Sequence, residues 1–208
     1  VEGVRTFVGV EALERARGDE VLGQAIPFGV GAVAPDDAVR FGQGGHVLGI
    51  DIEQAHQLVI GFGDTLEIGI RAAAGSHALL TTPGATRFYR SENGLATQQV
   101  HAQLGEHTRL EWLPLETIAY NGCQGVNHAV FDLAPTAELM AWDITALGLP
   151  NANLPFERGQ LQQHLEVAGV WLERGLIDAQ DTRLMDGPLG LAKHRCMATL
   201  VFACGTDL

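Results

Sequence analysis

The side chains that most often carry chemistry are scattered through this sequence. Eight histidines occur, but no two follow an HxH or HxxxH spacing, which would place two imidazoles on one face of a strand or helix. The three cysteines, at positions 123, 196 and 204, form no CxxC pair. Each histidine is therefore interpreted first as a surface or hydrogen-bonded structural residue. Cys123 is interpreted as a buried thiol, with a transient soft-metal contact as the alternative.

Sequence motifs of common enzymes are also missing. There is no GxSxG nucleophile elbow and no Walker loop. The segment Gly61-Phe62-Gly63-Asp64 lacks the third glycine of a dinucleotide-binding turn, so nucleotide binding is only weakly indicated. A site assembled in space stays open as an alternative. It would be a β-fold metal-dependent enzyme with His101, His128, His164 and Asp143 as ligands.

The amino-acid composition limits which kinds of molecule this protein can bind and which class of protein it belongs to. Thirteen Lys and Arg residues against 25 Asp and Glu give a net charge of -12, which repels nucleic acids and anionic lipid surfaces. A hydrophobic content of 46% with 18% charged residues excludes a disordered chain. No apolar run reaches the roughly 20 residues that span a bilayer, and no signal-peptide pattern opens the chain. We expect a soluble cytoplasmic protein with reduced cysteines and no membrane or nucleic-acid partner.

The elements that must position any site are strands. From about Asp64 the chain alternates apolar and polar residues with a period of two, as in the segment Leu66 to Ile70. Strands spaced by roughly 8–12 residues favour an all-β stack over βαβ units, either a sandwich or a loose solenoid with few short helices. One such helix is predicted over Glu11–Arg17. The other predicted strands are 77–80, 100–104, 110–112, 118–120, 126–133, 139–144, 161–167, 170–176 and 196–203.

One segment resembles a known family. Leu79–Ser91 has the sequence LLTTPGATRFYRS. It resembles the signature of the urease accessory protein UreD family (UreH in some organisms), which is close to LLTTPGATKFYRS. Leu110–Glu116 resembles the family's LEWLPQE, and Trp142-Asp143 with Leu147-Gly148 resembles a later block. The signature residues considered are Thr81, Pro83, Gly84, Arg87, Phe88, Tyr89, Arg90 and Ser91.

The ordered matches run from about Asp64 to Leu208. The resemblance therefore implies a single UreD-like domain over residues 1–208, with 1–60 divergent and 61–208 recognisable. It also implies a non-enzymatic role. UreD-like proteins bind apo-urease together with UreF, a helical accessory protein, and UreG, a GTPase, and help to deliver nickel to the urease active site. The family fold is a β-rich stack, in agreement with the periodicity. The resemblance further implies that nickel passes in transit through an internal tunnel and that no cofactor is stably bound.

The resemblance selects four candidate tunnel residues: Asp64, Thr86, Asp143 and Glu173. A transit route needs acidic and polar groups that bind the ion weakly enough to release it. Ordinary structural roles are the alternatives: Asp64 as a turn former, Asp143 as a strand-end hydrogen bonder, and Glu173 in a surface ion pair with Arg174. A further alternative is an interaction module that keeps the fold without handling nickel.

Overall fold

The computed structural model describes residues 63–82, 84–92 and 94–204, together with the backbone of seven short strands between residues 14 and 60. Its helical elements are a 3-10 turn at Pro150–Ala152 and helix α1 at Thr182–Asp186. The strands are β1 (Glu14–Arg15), β2 (Val21–Leu22), β3 (Gly31–Val33), β4 (Ala38–Val39), β5 (Gly45–Val47), β6 (Ile50–Gln54), β7 (Val59–Ile60), β8 (Thr65–Ala72), β9 (His77–Thr81), β10 (Thr86–Phe88), β11 (Ala96–Leu104), β12 (Arg109–Trp112), β13 (Thr117–Ala119), β14 (Gln124–Leu133), β15 (Glu138–Leu149), β16 (Leu154–Pro155), β17 (Gln160–Val167), β18 (Trp171–Asp178) and β19 (Cys196–Cys204).

Two sheets contain almost all of these strands. The seven-stranded sheet has the order β18-β17-β14-β11-β8-β6-β5, and the ten-stranded sheet has the order β4-β3-β9-β12-β15-β13-β10-β7, with β16 and β19 also paired to β15. The central pairs are parallel. Parallel neighbours require a crossover. Here each crossover connection runs through the other sheet. The chain leaves β8 in the seven-stranded sheet, forms β9 and β10 in the ten-stranded sheet, and returns to the first sheet as β11. This winding produces a solenoid-like stack.

The register places equivalent residues of successive turns directly above one another. Thr65 lies opposite Thr97 in the seven-stranded sheet, Thr97 lies opposite Val126, and Val126 lies opposite Gln162. These intervals along the chain are unequal because the connecting turns differ in length. The sequence therefore shows no exact internal repeat, although the structure repeats.

Side-chain alternation along the strands produces the core. Leu66, Ile68 and Ile70 on β8 are at most 2% exposed, and they share one cluster with the inward residues of both sheets. Phe88 and Phe131 lie fully buried within it. The two inner faces therefore enclose one hydrophobic interior. The prediction of an all-β, solenoid-like stack with few short helices is confirmed.

One local prediction is wrong. Within the span Glu11–Arg17, residues Glu14–Arg15 form β1 and pair antiparallel with Val21–Leu22. A helix of about seven residues is too short to be stable alone in water, so strand pairing competes with it. The remaining residues of that span lie outside the described part of the chain. None of the helices in the described residues has the length and apolar character needed to cross a bilayer.

The cysteines differ in their predicted reactivity. Cys123 is buried, and this burial raises the pKa of its thiol to about 12, whereas Cys196 is exposed. Because the thiolate is the reactive form, Cys123 should resist iodoacetamide at pH 8 in the folded protein and react only after unfolding. Peptide mass mapping of the native and urea-unfolded protein measures both sites. Equal native labelling of Cys123 and Cys196 would contradict the buried position.

Candidate functional site

Five polar side chains lie in a line inside the solenoid. We call them the polar row: Thr86, Gln98, Asn127, Asp143 and Gln163. Gln98, Asn127 and Gln163 sit directly opposite one another on β11, β14 and β17. Thr86 and Asp143 face them from β10 and β15 of the other sheet. The four uncharged members are each at most 8% exposed, so the row is part of the interior.

Hydrogen bonds connect the row in one direction. The Thr86 hydroxyl donates to Gln98 Oε1 at 2.8 Å, and Gln98 Nε2 donates to Asn127 Oδ1 at 3.1 Å. Asn127 Nδ2 then donates to Asp143 Oδ2 at 2.6 Å. Every donor in this chain points towards the carboxylate, and such chains polarise one another cooperatively. The negative charge therefore fixes the orientation of both amides.

Asp143 faces the interior because it alternates on β15 with Trp142 and Ile144, which pack together in a separate cluster. Its second oxygen, Oδ1, accepts hydrogen bonds from Thr145 Oγ1 at 3.0 Å and Gln163 Nε2 at 2.6 Å. The side chain is half-buried by surface area, but protein atoms surround its carboxylate.

This environment changes the acidity of Asp143. Burial raises the pKa of Asp143, and the charge of Glu173 raises it further, while the donated hydrogen bonds lower it. The net pKa is above the ordinary value because desolvation outweighs the donors. The interior therefore holds a carboxyl group whose charge is costly and would be stabilised by a cation.

Glu173 is connected to the strand that pairs with the Asp143 strand. Thr199 on β19 is directly opposite Asp143, and its hydroxyl donates to Glu173 Oε2 at 2.8 Å. Glu173 and Arg174 are adjacent residues of a strand, so their side chains point to opposite faces of the sheet. The structure thus brings three of the four candidates, Thr86, Asp143 and Glu173, to one interior region.

Asp64 occupies a different environment. It is exposed and precedes β8, and its backbone carbonyl accepts a hydrogen bond from Thr97 at 2.8 Å. Its carboxylate therefore does not belong to the buried row. The turn position agrees with the structural alternative given for this residue.

The signature segment divides into inward and outward residues. Thr86 and Phe88 point into the interior, and Thr81 and Ser91 donate to the carbonyls of Leu113 and Gly94, at 2.7 Å in both cases. Gly84 has no described atom within 4 Å of where a Cβ would lie. The outward side chains are Arg87, Tyr89 and Arg90. Tyr89 stacks on Tyr120 with ring centroids 4.8 Å apart, and Arg90 forms an ion pair with Glu92 at 2.6 Å. Pro83 lies outside the described residues.

The three histidines of the enzyme alternative lie together, but without Asp143. They occupy the outer face of the seven-stranded sheet, where the rings of His128 and His164 meet edge to face with centroids 4.2 Å apart. Burial and the neighbouring His164 lower the pKa of His128. Asp143 is on the inner face of the other sheet, so the expected convergence is wrong: strand alternation directs the histidines and this carboxylate to different faces.

Carboxylates on the same outer face of the sheet engage two of these histidines instead. His101 Nε2 lies 2.6 Å from Asp132 Oδ2, and His164 Nε2 lies 2.7 Å from Glu166 Oε2. No three His, Cys, Asp or Glu side chains in the described part of the chain converge as a metal site.

Sequence reasoning missed the amide members of the row. Gln98, Asn127 and Gln163 occupy positions where the alternation demands an apolar residue, and this is the signal that could have identified them. Gln98, for instance, belongs to the series that continues through Val100, Ala102 and Leu104. A polar residue in such a series is buried and needs a partner inside.

The raised pKa of Asp143 makes a prediction about stability. The folded state binds this proton more tightly than the unfolded chain, so the contribution of Asp143 to stability is fully present below pH 3.8 and is lost as the pH rises through the raised pKa. Asp143→Asn cannot ionise. It should therefore gain stability relative to the wild type as the pH rises, by about 1.4 kcal/mol for each pH unit between the folded and unfolded pKa values.

Urea unfolding of both proteins at pH 4 and pH 7 measures this difference. The control is Glu67→Gln, which removes an exposed carboxyl on β8 and should show no comparable gain. A constant difference between Asp143→Asn and the wild type would contradict the assignment of a destabilising buried charge.

The chain is similar in sequence to proteins of a known family. A family model described as the UreD urease accessory protein matches residues 60–207. The chain is 62% identical over 146 residues to the urease accessory protein UreD of Albidiferax ferrireducens, covering 70% of this chain and 53% of that protein. It is 60% identical over 144 residues to UreD of Variovorax paradoxus, covering 69% and 52%. It is 58% identical over 146 residues to UreD of Polaromonas sp. strain JS666, covering 70% and 53%.

The chain spans about half the length of the curated relatives it matches. The residues that match the family model, 60–207, include both the signature segment and the complete polar row. The chain belongs to the UreD family of urease accessory proteins.

Proposed function

We propose that this chain assists the maturation of urease as a scaffold for nickel delivery. It binds apo-urease together with a UreF-like helical accessory protein and a UreG-like GTPase, and Ni²⁺ crosses its interior along the polar row. The protein is not an enzyme in this proposal, and it works in the cytoplasm. Nickel is its cargo and is not a resident cofactor.

The observation that carries the proposal is the buried carboxylate of Asp143 at the end of a chain of amide groups. A cation inside the solenoid would be attracted to this charge and could be bound by amide, hydroxyl and carboxylate oxygens. Nickel is also bound by imidazole, and thiolates are stronger ligands for soft metals, but the row contains neither group. An all-oxygen route therefore favours weak, exchangeable binding.

The hydrogen bonds of the row permit such exchange. All of them join side chains to side chains, whereas the parallel ladders that hold the sheets use the backbone. Gln98 and Asn127 can give up one partner for water or a hydrated ion without breaking a ladder. The fold thus supplies polar groups that rearrange inside a rigid frame.

Exposed apolar side chains support the proposed partner binding. Val170, Leu172 and Leu176 are 61%, 51% and 53% exposed on the hairpin formed by β17 and β18. Large apolar side chains grouped on a surface are typical of sites that bind another protein.

Two variants test the role of Asp143 in transit. Asp143→Asn keeps the size of the side chain and removes its charge, so urease activation should fall about tenfold or more, the effect of losing roughly 1.4 kcal/mol of cation stabilisation. Glu67→Gln removes an exposed charge on β8 and should activate like the wild type. The measurement is nickel-dependent urease activity after co-expression with apo-urease and the two accessory proteins.

Co-purification separates the outcomes. Normal assembly with lost activation supports nickel transit past Asp143. Normal assembly with normal activation would leave an interaction module that does not handle nickel. Loss of assembly in Asp143→Asn would show that the carboxylate acts through the fold.

A further inference from the structure

The polar row ends at an unsatisfied oxygen. Gln163 is 4% exposed, and its Nε2 donates to Asp143. Its Oε1 is buried, and no described protein group donates to it. An unpaired buried carbonyl oxygen destabilises the folded state. This oxygen therefore points to a small ligand that offers a donor or a positive charge, such as a water molecule or a hydrated cation.

The residue opposite Gln163 leaves room for such a ligand. Gly175 on β18 pairs directly with Gln163, so both residues face the interior side of the sheet. A Cβ built at Gly175 would have no described atom within 4 Å, and the residue is exposed. Its backbone is outside the positive-φ region, so the conformation does not require glycine. No side chain therefore covers the inner face of Gly175, which is exposed, whereas Gln163 beside it is buried.

The edge of this opening is acidic. Glu173 is two residues from Gly175 on the same strand and therefore on the same face. Its carboxylate accepts the hydrogen bond from Thr199, which lies opposite Asp143. A hydrated cation at Gly175 would thus meet the oxygens of Glu173 and Gln163 before it reaches Asp143. Oxygen donors of this kind suit a small divalent ion with its waters.

We propose that Gly175 forms the mouth of the polar row, through which a hydrated divalent cation enters or leaves the interior. This inference rests on the proposed function, because it locates one end of the route. Gln163 lies behind the mouth, Glu173 lies at its rim, and the rest of the row leads inward through Asp143 and Asn127.

The test is to fill the mouth. Gly175→Val places two methyl groups in the open space and suits a strand, so the melting temperature should stay close to the wild-type value. Gln103→Val is the matched control, since it places the same side chain at an exposed outer position of β11, away from the apolar hairpin. We expect Gly175→Val to lower nickel-dependent urease activation at least tenfold with normal co-purification, while Gln103→Val activates normally. Normal activation by Gly175→Val would overturn the inference.

A second readout does not depend on urease. In Asn127→Cys the new thiol lies inside the row, and a small cationic methanethiosulfonate reagent can reach it only through an opening. Mass mapping of residue 127 should show labelling that Gly175→Val slows at least tenfold and Gln103→Val leaves unchanged. Equal labelling rates in all three backgrounds would overturn the inference. Slowed labelling together with failed activation by the unmutated chain would keep the mouth and remove the nickel function, so the two proposals fail separately.

Discussion

The buried carboxylate of Asp143 sets the main constraint on this structure. Placing a charge between two hydrophobic sheets is unfavourable unless polar groups surround it. Asn127, Gln163 and Thr145 supply three donors from both sheets, so the charge links the two sheets. Even so, its pKa is raised, which shows that the donors do not replace all of the lost hydration.

The solenoid makes this arrangement possible. Parallel strands in register stack equivalent positions, so one polar position per turn produces a continuous line of amides. The same rule stacks Thr86, Thr117 and Thr145 in the opposing sheet, and all three are buried. In an antiparallel hairpin stack the spacing between such positions would depend on each turn. Here the pairing alone aligns groups that are far apart in sequence.

Much of the fold could be predicted from the sequence, but less of the site. The period of two located the strands because each one alternates cleanly, as Leu66, Ile68 and Ile70 show. Which strands pair could not be predicted from the sequence, because turns of unequal length hide the structural repeat. Asp143 was identified from a family resemblance, and only the alternation with Trp142 on β15 shows that it faces the interior. The enzyme alternative requires His101, His128 and His164 to converge with Asp143, and the sequence does not show that the strands direct them to different faces.

If a cation crosses the interior as proposed, the polar row would suit its transit better than a fixed metal site would. A stable site surrounds an ion with several strong ligands and becomes more stable when the ion binds. In the row, each polar group is already satisfied by its neighbour, so an entering ion gains only the difference between two sets of contacts. Gln163 Oε1 is the exception, since it has an acceptor to offer at no such cost. On the proposed route a cation would therefore be bound most strongly beside Asp143, where the carboxylate and Gln163 Oε1 lie together, and less strongly towards Thr86.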